Sequence, residues 1–295
     1  MDQGLQSRKT DLVTFRLTGA AGVELINKDG RTLLVDPYYS RCGAGEVVFR
    51  PLTAKVHEVR RQVERIGEIA GIVVSHSHFD HALDIPEFSK YTDGPVIGSS
   101  SLENLMDRCG QGGRATVCSG GEVMDLPGNI RITMLPSIHG RVALGRIPFP
   151  GEIETNRPRA MKAKDYKVGQ VFSPKIEMGG SVFLHVGSAG YVDSALAGQR
   201  CDVVFLCVPG WKRTPGYPER IIELTGAKTV VLFHQDHFFR PFEQGKKMKT
   251  LPFSDVKGLV RTIRRYAPDV AVLVPDLFET LDHRGRACHG PDGLA

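Results

Sequence analysis

The sequence lacks the features that mark several special classes of protein. No run approaches the roughly 20 consecutive apolar residues that a membrane-spanning helix needs. The six cysteines include no C-x-x-C pair in a chain far longer than small disulfide-stabilised domains, so reduced thiols are expected. Residues 1–10 are polar and charged and contain no apolar segment typical of a secretory signal. These absences predict a cytoplasmic globular protein without a membrane span.

A strong excess of charge of one sign is also missing. The formal net charge is only +5 over 295 residues. This is too small to indicate binding to nucleic acid, so none is expected as a partner. The mild positive charge weakly favours an anionic small-molecule substrate. Hydrophobic residues make up 41% and charged residues 24%, which is typical of a globular domain with a core of normal size. The oligomeric state stays open.

Short β-branched runs recur along the chain and alternate with helical patterns. Strands interleaved with helices predict an α/β fold in layers. Both parts of the chain begin with strand-rich sequence, which suggests one domain over residues 1–295 with two pseudo-repeated halves, 11–140 and 175–282. Strands are predicted at 13–17, 22–26, 32–35, 72–74, 96–97, 115–117, 130–135, 181–186, 203–207, 229–233 and 270–274, and helices at 56–69, 101–108, 218–224 and 254–266.

The segment 141–174 differs from its surroundings. It is rich in glycine, proline and charged residues and carries no regular apolar pattern. Long ordered loops of this kind usually serve as lids or binding loops. We therefore expect a lid-like segment that joins the two halves and shapes specificity.

The strongest chemical signal is the run of residues 76–81, His-Ser-His-Phe-Asp-His, directly after a predicted strand. Three of the ten histidines fall within these six positions, beside a carboxylate. His76 and His78 are two positions apart, so both can point the same way in an extended segment. Asp80 and His81 follow at a turn, where they can face a second ion. Imidazoles with a carboxylate suit zinc, and also iron or manganese.

Two further histidines stand at the ends of predicted strands. His139 follows the strand 130–135, and His234 ends the very apolar strand 229–233. Together with the cluster they would complete two sets of three metal ligands. The remaining isolated histidines are expected to be surface or core residues instead: His57, His185, His283 and His289.

The pattern resembles the metallo-β-lactamase superfamily. Its signature H-x-H-x-D-H is matched here by His76, His78, Asp80 and His81, and its other motifs are matched in order by Asp36-Pro37, His139 and His234. The string 75–84 is most similar to the branch that contains the ascorbate-phosphate lactonase and the N-acyl phosphatidylethanolamine phospholipase D type enzymes. The resemblance implies an α/β fold, a four-layer αββα sandwich with the metals at one edge between its halves.

One motif departs from that pattern. The family's fourth motif is usually Gly-Asp, whose aspartate bridges both metals, and here the matching pair is Gly187-Ser188. A hydroxyl is a far poorer bridging ligand than a carboxylate. Either the metals are held apart mainly by a hydroxide, or the second site is weak and one ion is tightly bound. One subclass of true β-lactamases also lacks the bridge, so Ser188 does not imply an inactive site.

The resemblance implies a ligand set and roles for its members. His76, His78 and His139 would hold a first metal, and Asp80, His81 and His234 a second. Two Zn²⁺ ions are expected, with Mn²⁺ or iron as alternatives. Asp80 would also act catalytically by orienting the attacking water and shuttling its proton. Asp36 and Asp84 are candidates to accept hydrogen bonds from ligand imidazoles, or else a turn residue and a helix-start residue.

The segment after His234 mixes aromatic, acidic, imidazole and guanidinium side chains. It predicts a pocket wall that includes Asp236, His237, Phe238 and Arg240, with Arg240 as an anion clamp. The alternative is a structural loop with Arg240 in a surface ion pair. Asp236 or His237 could also supply the ligand that Ser188 does not.

These residues favour a hydrolase in which metal-activated water attacks an ester, lactone, amide or phosphodiester bond. The alternatives are an iron-dependent oxidoreductase of the dioxygenase type, an amide hydrolase like the β-lactamases, and a metal-stabilised binding protein without turnover. Metal content and oxygen uptake distinguish the oxidoreductase from the hydrolases. The sequence does not name the substrate.

Overall fold

The computed structural model describes residues 12–155, 160–241 and 247–288. The polar start of the chain and His289, both discussed above, lie outside these ranges. In the described part, two seven-stranded sheets account for the strands. Within the same ranges, no helix is both long and apolar enough to cross a membrane.

The first sheet has the order β14-β1-β2-β3-β4-β5-β6, and the second has the order β13-β12-β11-β10-β9-β8-β7. The strands of the first sheet are β1 Thr14–Gly19, β2 Gly22–Ile26, β3 Thr32–Val35, β4 Ile69–Val73, β5 Val96–Gly98, β6 Ala115–Val117 and β14 Leu281–Asp282. Those of the second are β7 Val123–Leu126, β8 Ile130–Ser137, β9 Val171–Met178, β10 Ser181–Val186, β11 Val203–Cys207, β12 Thr229–Phe233 and β13 Ala271–Leu273.

Eight α-helices occur in the described ranges. They are α1 Ala44–Phe49, α2 Val56–Ile66, α3 Phe79–Ala82, α4 Ile85–Phe88, α5 Ser100–Arg108, α6 Asp193–Leu196, α7 Glu219–Thr225 and α8 Val256–Tyr266. The predicted helices at 56–69, 101–108, 218–224 and 254–266 correspond to α2, α5, α7 and α8 with shifts of one to three residues at their ends.

Three separate hydrophobic clusters define the layers. The first lies between the sheets, where Phe15 of β1 meets Phe205 of β11 with ring centroids 5.3 Å apart. The second joins the first sheet to α2 and α5, and the third joins the second sheet to α7 and α8. Strands such as β11 are apolar at every position because one face packs on the other sheet and the opposite face packs on helices. The predicted four-layer αββα sandwich is confirmed.

The two sheets have the same pattern of strand directions. Three antiparallel pairs, from β14 to β3 and from β7 to β10, are followed by three parallel pairs, from β3 to β6 and from β10 to β13. This agrees with two repeated halves, but not with the predicted boundary at residue 140. Strands β7 and β8 precede that boundary and belong to the second sheet.

The segment 141–174 therefore does not join the halves. It connects β8 to β9, which are antiparallel neighbours in the second sheet, and its last four residues already belong to β9. The sequence pattern did not predict β9, because Pro174 interrupts its run of strand-forming residues. Pro174 lies opposite Met134 within the pairing of β9 with β8.

Candidate metal centre

The histidine-rich segments converge at one edge of the sandwich because each follows the carboxyl end of a strand. Residues 76–81 follow β4, His139 follows β8 and His234 follows β12. His78 is the N-terminal cap residue of α3, so the chain turns there and Asp80 and His81 enter the first turn of that helix. The turn explains why His76 and His78 face one point while the next two ligands face another.

The six predicted ligands form two groups in the structure. His76, His78 and His139 offer ligand atoms that all lie within 4.8 Å of one another, and Asp80, His81 and His234 do the same. The imidazole rings of His76 and His139 are 4.8 Å apart between centroids, and those of His78 and His139 are 4.9 Å apart. Each group has the number and type of ligands that a divalent transition metal takes.

Hydrogen bonds to carbonyl oxygens determine which ring nitrogen of the first group is free. The Nε2–H of His78 donates to Pro148 O at 2.9 Å, and the Nδ1–H of His139 donates to Gly140 O at 2.6 Å. The Nδ1 atom of His76 lies 3.1 Å from Ser75 Oγ. This leaves Nδ1 of His78 and Nε2 of His76 facing each other at 3.1 Å. Two nitrogen lone pairs at this distance fit a shared cation.

The second group is oriented in the same way. The Nδ1–H of His81 donates to Asp36 Oδ2 at 2.8 Å, which leaves Nε2 of His81 available as a ligand. Asp80 Oδ2 is 3.9 Å from that atom and 3.4 Å from His234 Nε2. A carboxylate oxygen and two imidazole nitrogens thus point at a common position.

Asp36 connects the ends of β3 and β4 beneath the centre. Its Oδ1 accepts a hydrogen bond from the Ser75 backbone N–H at 2.6 Å, and its Oδ2 accepts one from the Ser75 hydroxyl. Asp36 and His234 both adopt left-handed backbone conformations, with φ of 46° and 64°. Such conformations are costly for non-glycine residues and are concentrated at functional sites.

Burial and neighbouring charges shift the pKa values of the candidate ligands, and the shifts differ between the two groups. Burial, together with the nearby His139 ring, lowers the pKa of His78 from 6.5 to about 3, and burial lowers the pKa of His139 to about 4. Burial opposes ionisation of Asp80, but contact with His81 and His234 outweighs it and holds the pKa of Asp80 below its usual value. Burial likewise opposes the charged form of His81, yet Asp36 and Asp80 raise the pKa of His81. The first group therefore stays neutral, as metal ligation requires.

Both groups open into one cavity of about 590 Å³. Its wall includes Asp80, His139 and His234, and it continues through apolar side chains. The segment 141–174 contributes four of the lining residues, Val142, Leu144, Pro148 and Phe149. A pocket of this size with a few convergent polar groups is typical of a site for a small molecule.

The family model described as the β-lactamase superfamily domain matches residues 31–274. The chain belongs to the metallo-β-lactamase superfamily. A UPF0173 metal-dependent hydrolase from Desulfitobacterium hafniense is 28% identical over 213 residues, which cover 72% of this chain and 77% of that relative.

Solved structures show the same fold at low sequence identity. Igni18, a metallo hydrolase from the archaeon Ignicoccus hospitalis, matches 92% of this chain and 98% of its own with a TM-score of 0.55 and 17% identity. CmlA, a diiron β-hydroxylase from Streptomyces venezuelae, matches 92% of this chain and 54% of its own with a TM-score of 0.54 and 14% identity.

Ser188 follows β10 at the position of the superfamily's bridging aspartate. Its side chain is buried and lines the cavity, and its Oγ donates to Ile138 O at 3.4 Å. Each group already contains three His or Asp ligand atoms without it.

Asp84 lies at the start of α4 as its N-cap residue, which agrees with the second of the two roles predicted for it. Its carboxylate accepts hydrogen bonds from the backbone N–H groups of Tyr39 and Ser40, at 2.7 and 2.8 Å, and from the Ser40 hydroxyl. These bonds direct it to the loop after β3 and not to a ligand imidazole. Burial raises the pKa of this carboxyl to about 6.

The loop after His234 also differs from its prediction. Asp236 accepts hydrogen bonds from Arg41 and from the Ala20 backbone N–H, so its oxygens do not face the metal groups. His237 and Arg240 present backbone carbonyls to Arg41, and Arg240 is exposed at the surface. None of these three lines the cavity, which corrects the prediction of a pocket wall and of a substitute ligand.

Two residues that line the cavity, Phe239 and Arg213, had no role in the sequence prediction. Phe238 lines the cavity as expected, and Phe239 lies beside it with ring centroids 4.3 Å apart. Arg213, and not Arg240, is the arginine at the cavity. No local pattern marks Arg213, because it follows β11 in a short 3₁₀ turn far along the chain from the ligands.

Proposed function

We propose that this chain is a dinuclear, zinc-dependent hydrolase that cleaves an ester, lactone, amide or phosphodiester bond. The observation that best supports it is that two groups of three ligand atoms, each within 4.8 Å, line one cavity. Nitrogen and carboxylate ligands in this number suit zinc. When bound, two such ions supply activated water and polarise the oxygen of a carbonyl or phosphoryl group.

The residues around the ligands support the chemistry by holding protons and orientations. Asp80 stays ionised because His81 and His234 lower its pKa, so its carboxylate can serve as a ligand and orient the attacking water by accepting a hydrogen bond. Asp36 fixes the His81 ring through its Nδ1–H, and Pro148 fixes the His78 ring through its Nε2–H. Phe238 and Phe149 limit the access of water to the cavity.

The comparisons favour hydrolysis over oxidation. The relative from Desulfitobacterium hafniense and Igni18 are both described as metal-dependent or metallo hydrolases. CmlA is described as a diiron hydroxylase, but this chain covers only 54% of it. Oxidation at a di-iron site is thus the second candidate, which the identity of the bound metal decides.

The test combines metal analysis with turnover. Purified full-length protein should carry two zinc ions per chain and hydrolyse at least one of 4-nitrophenyl acetate, bis(4-nitrophenyl) phosphate and nitrocefin. Chelation should abolish the activity and zinc should restore it. The variant His78→Ala should lose both metal and turnover, whereas the exposed His57→Ala should retain them. Full activity in a metal-free sample, or iron with oxygen uptake, would overturn the proposal.

A further inference from the structure

The cavity wall beyond the ligands is strongly apolar. Separate segments supply it: Val47 of α1, Leu144 and Phe149 of the segment 141–174, Phe238 after β12, and Phe253 before α8. These side chains offer no hydrogen bonds to a sugar or a nucleotide. They gain free energy when an apolar group displaces water from them. The wall therefore fits a substrate with an extended apolar part.

Two of these side chains stand fully in solvent at the mouth of the cavity. Leu144 has a relative exposure of 95% and Phe253 of 105%. Both adopt left-handed backbone conformations, with φ of 50° and 68°, which bulky residues rarely do. Conformations of this kind are enriched at active sites and ligand-binding segments. The apolar surface of the cavity thus extends outward to a point where a bound chain would cover it.

One cationic side chain accompanies this apolar surface. Arg213 is the only lysine or arginine among the described residues that line the cavity. Its guanidinium has no ion-pair or hydrogen-bonding partner in the described ranges, while its own backbone N–H donates to Gly210 O at 2.8 Å. The adjacent Lys212, in contrast, pairs with Asp255 at 2.6 Å. Arg213 is exposed at the edge of the cavity, so its charge is open to solvent and to a ligand.

We infer that the substrate is an anionic amphiphile, whose apolar chain lies against Leu144, Phe149 and Phe253 and whose carboxylate binds Arg213. Arginine favours carboxylates because its planar guanidinium can donate two parallel hydrogen bonds to them. The nature of the cleaved bond rests on the proposed hydrolase function. The binding of the amphiphile does not, because it can be measured without turnover.

The first experiment measures binding to the zinc-loaded protein by calorimetry. The probes are octanoate and its neutral isostere octanamide. Wild-type protein should bind octanoate about tenfold more tightly than octanamide, as expected for one charge-assisted contact. The variant Arg213→Gln should lose this preference. The variant Arg240→Gln, which removes an exposed arginine outside the cavity, should keep it.

A separate variant tests whether the apolar wall contributes to binding. Phe253→Ser should weaken octanoate and octanamide equally, by about threefold to tenfold, because it removes apolar contact from both. Phe253 is fully exposed, so the variant should fold normally. Unchanged octanoate affinity in Arg213→Gln would show that the carboxylate binds the metals instead and would overturn the anion site. Unchanged affinity for both probes in Phe253→Ser would overturn the apolar site.

A turnover experiment separates this inference from the proposed function. The substrates are the mono-4-nitrophenyl ester of suberic acid and 4-nitrophenyl octanoate, which differ by the terminal carboxylate. Arg213→Gln should raise KM for the suberate ester about tenfold, with the effect on KM and not on kcat. If neither ester is cleaved but octanoate binding depends on Arg213, hydrolysis fails and the anion site stands. If both are cleaved equally by both proteins, the anion site fails and hydrolysis stands.

Discussion

Arg41 and Asp236 form a buried ion pair, with Nη2 and Oδ2 2.7 Å apart, that holds the loop after His234 against the loop after β3. The Asp236 carboxylate also accepts the Ala20 N–H, and Arg41 donates to the carbonyl oxygens of His237 and Arg240. Both side chains are almost completely inaccessible, with exposures of 6% and 2%. The pair therefore positions the loop that begins at the candidate ligand His234, and neither of its side chains lines the cavity.

Replacing Arg41 should destabilise the fold strongly. Arg41→Met leaves the Asp236 carboxylate buried without its partner, and breaking a buried pair on one side costs about 3–5 kcal/mol of unfolding free energy. Denaturant unfolding of the metal-free proteins measures the loss. The matched control is Arg131→Met, which breaks the exposed Arg131–Asp125 pair and should change nothing measurable. Equal stabilities of the two variants would contradict the role given to Arg41.

Replacing Asp36 should weaken the second metal group selectively. In Asp36→Asn, the amide NH₂ cannot accept the hydrogen bonds that His81 and Ser75 donate to Oδ2, so the His81 ring loses its orientation. Loss of such a supporting partner lowers metal affinity roughly 10- to 100-fold. Titration with zinc against a chromophoric chelator should show the ion of Asp80, His81 and His234 weakened more than that of His76, His78 and His139, because Asp36 contacts His81 directly but reaches His76 only through Ser75. Equal weakening of both ions would argue against this arrangement.

Acidification should release the ion of the second group first. Protons compete with a metal only below the pKa of a ligand imidazole. The pKa of His78, about 3, and that of His139, about 4, lie below the ordinary value of 6.5, so the first group should hold its ion down to about pH 4. Asp36 and Asp80 raise the pKa of His81 from its ordinary value despite its burial, so the second group should lose affinity at a higher pH than the first. Zinc stoichiometry after dialysis at pH 5 and pH 8 tests this order, and simultaneous loss would contradict it.

Variants of Ser188 test what the absence of a bridging aspartate does to metal binding. Ser188→Ala should keep the metal stoichiometry, because the hydroxyl donates to Ile138 O and a neutral hydroxyl is a poor metal ligand beside imidazoles and carboxylates. Ser188→Asp should tighten the second ion about tenfold, because it adds a carboxylate to the wall of the cavity that both ligand groups line. Competition titrations of both variants measure the effect. Loss of an ion from Ser188→Ala would show that the hydroxyl is itself a ligand.

The sequence predicted those features whose signal is local. Residues 76–81 form a contiguous cluster after a strand, and the structure divides them between two groups as their spacing at a turn suggested. The alternation of apolar strands and helices likewise predicted the layered fold. Strand β9 was missed, because Pro174 hides its pattern although its neighbours β8 and β10 pair along it.

In the loop after His234, the chemical type of the side chains did not predict which of them line the cavity. Asp236, His237 and Arg240 are side chains common in active sites, but the structure directs the carboxylate of Asp236 to Arg41 and leaves Arg240 at the surface. Arg213, which carries no motif, lines the cavity instead. The direction of a loop side chain depends on which distant segment packs against it.

The sequence by itself determined the superfamily, the layered α/β fold and the identity of the six side chains that form two ligand groups, because these depend on local spacing and on apolar periodicity. Only the tertiary structure decided which carboxylates contact those side chains and which residues line the cavity beside them. Asp36 reaches His81, Asp84 reaches Ser40, and Asp236 pairs with an arginine 195 positions away in the chain. Such contacts form when the ends of strands that are distant in the sequence come together, and no local pattern encodes them.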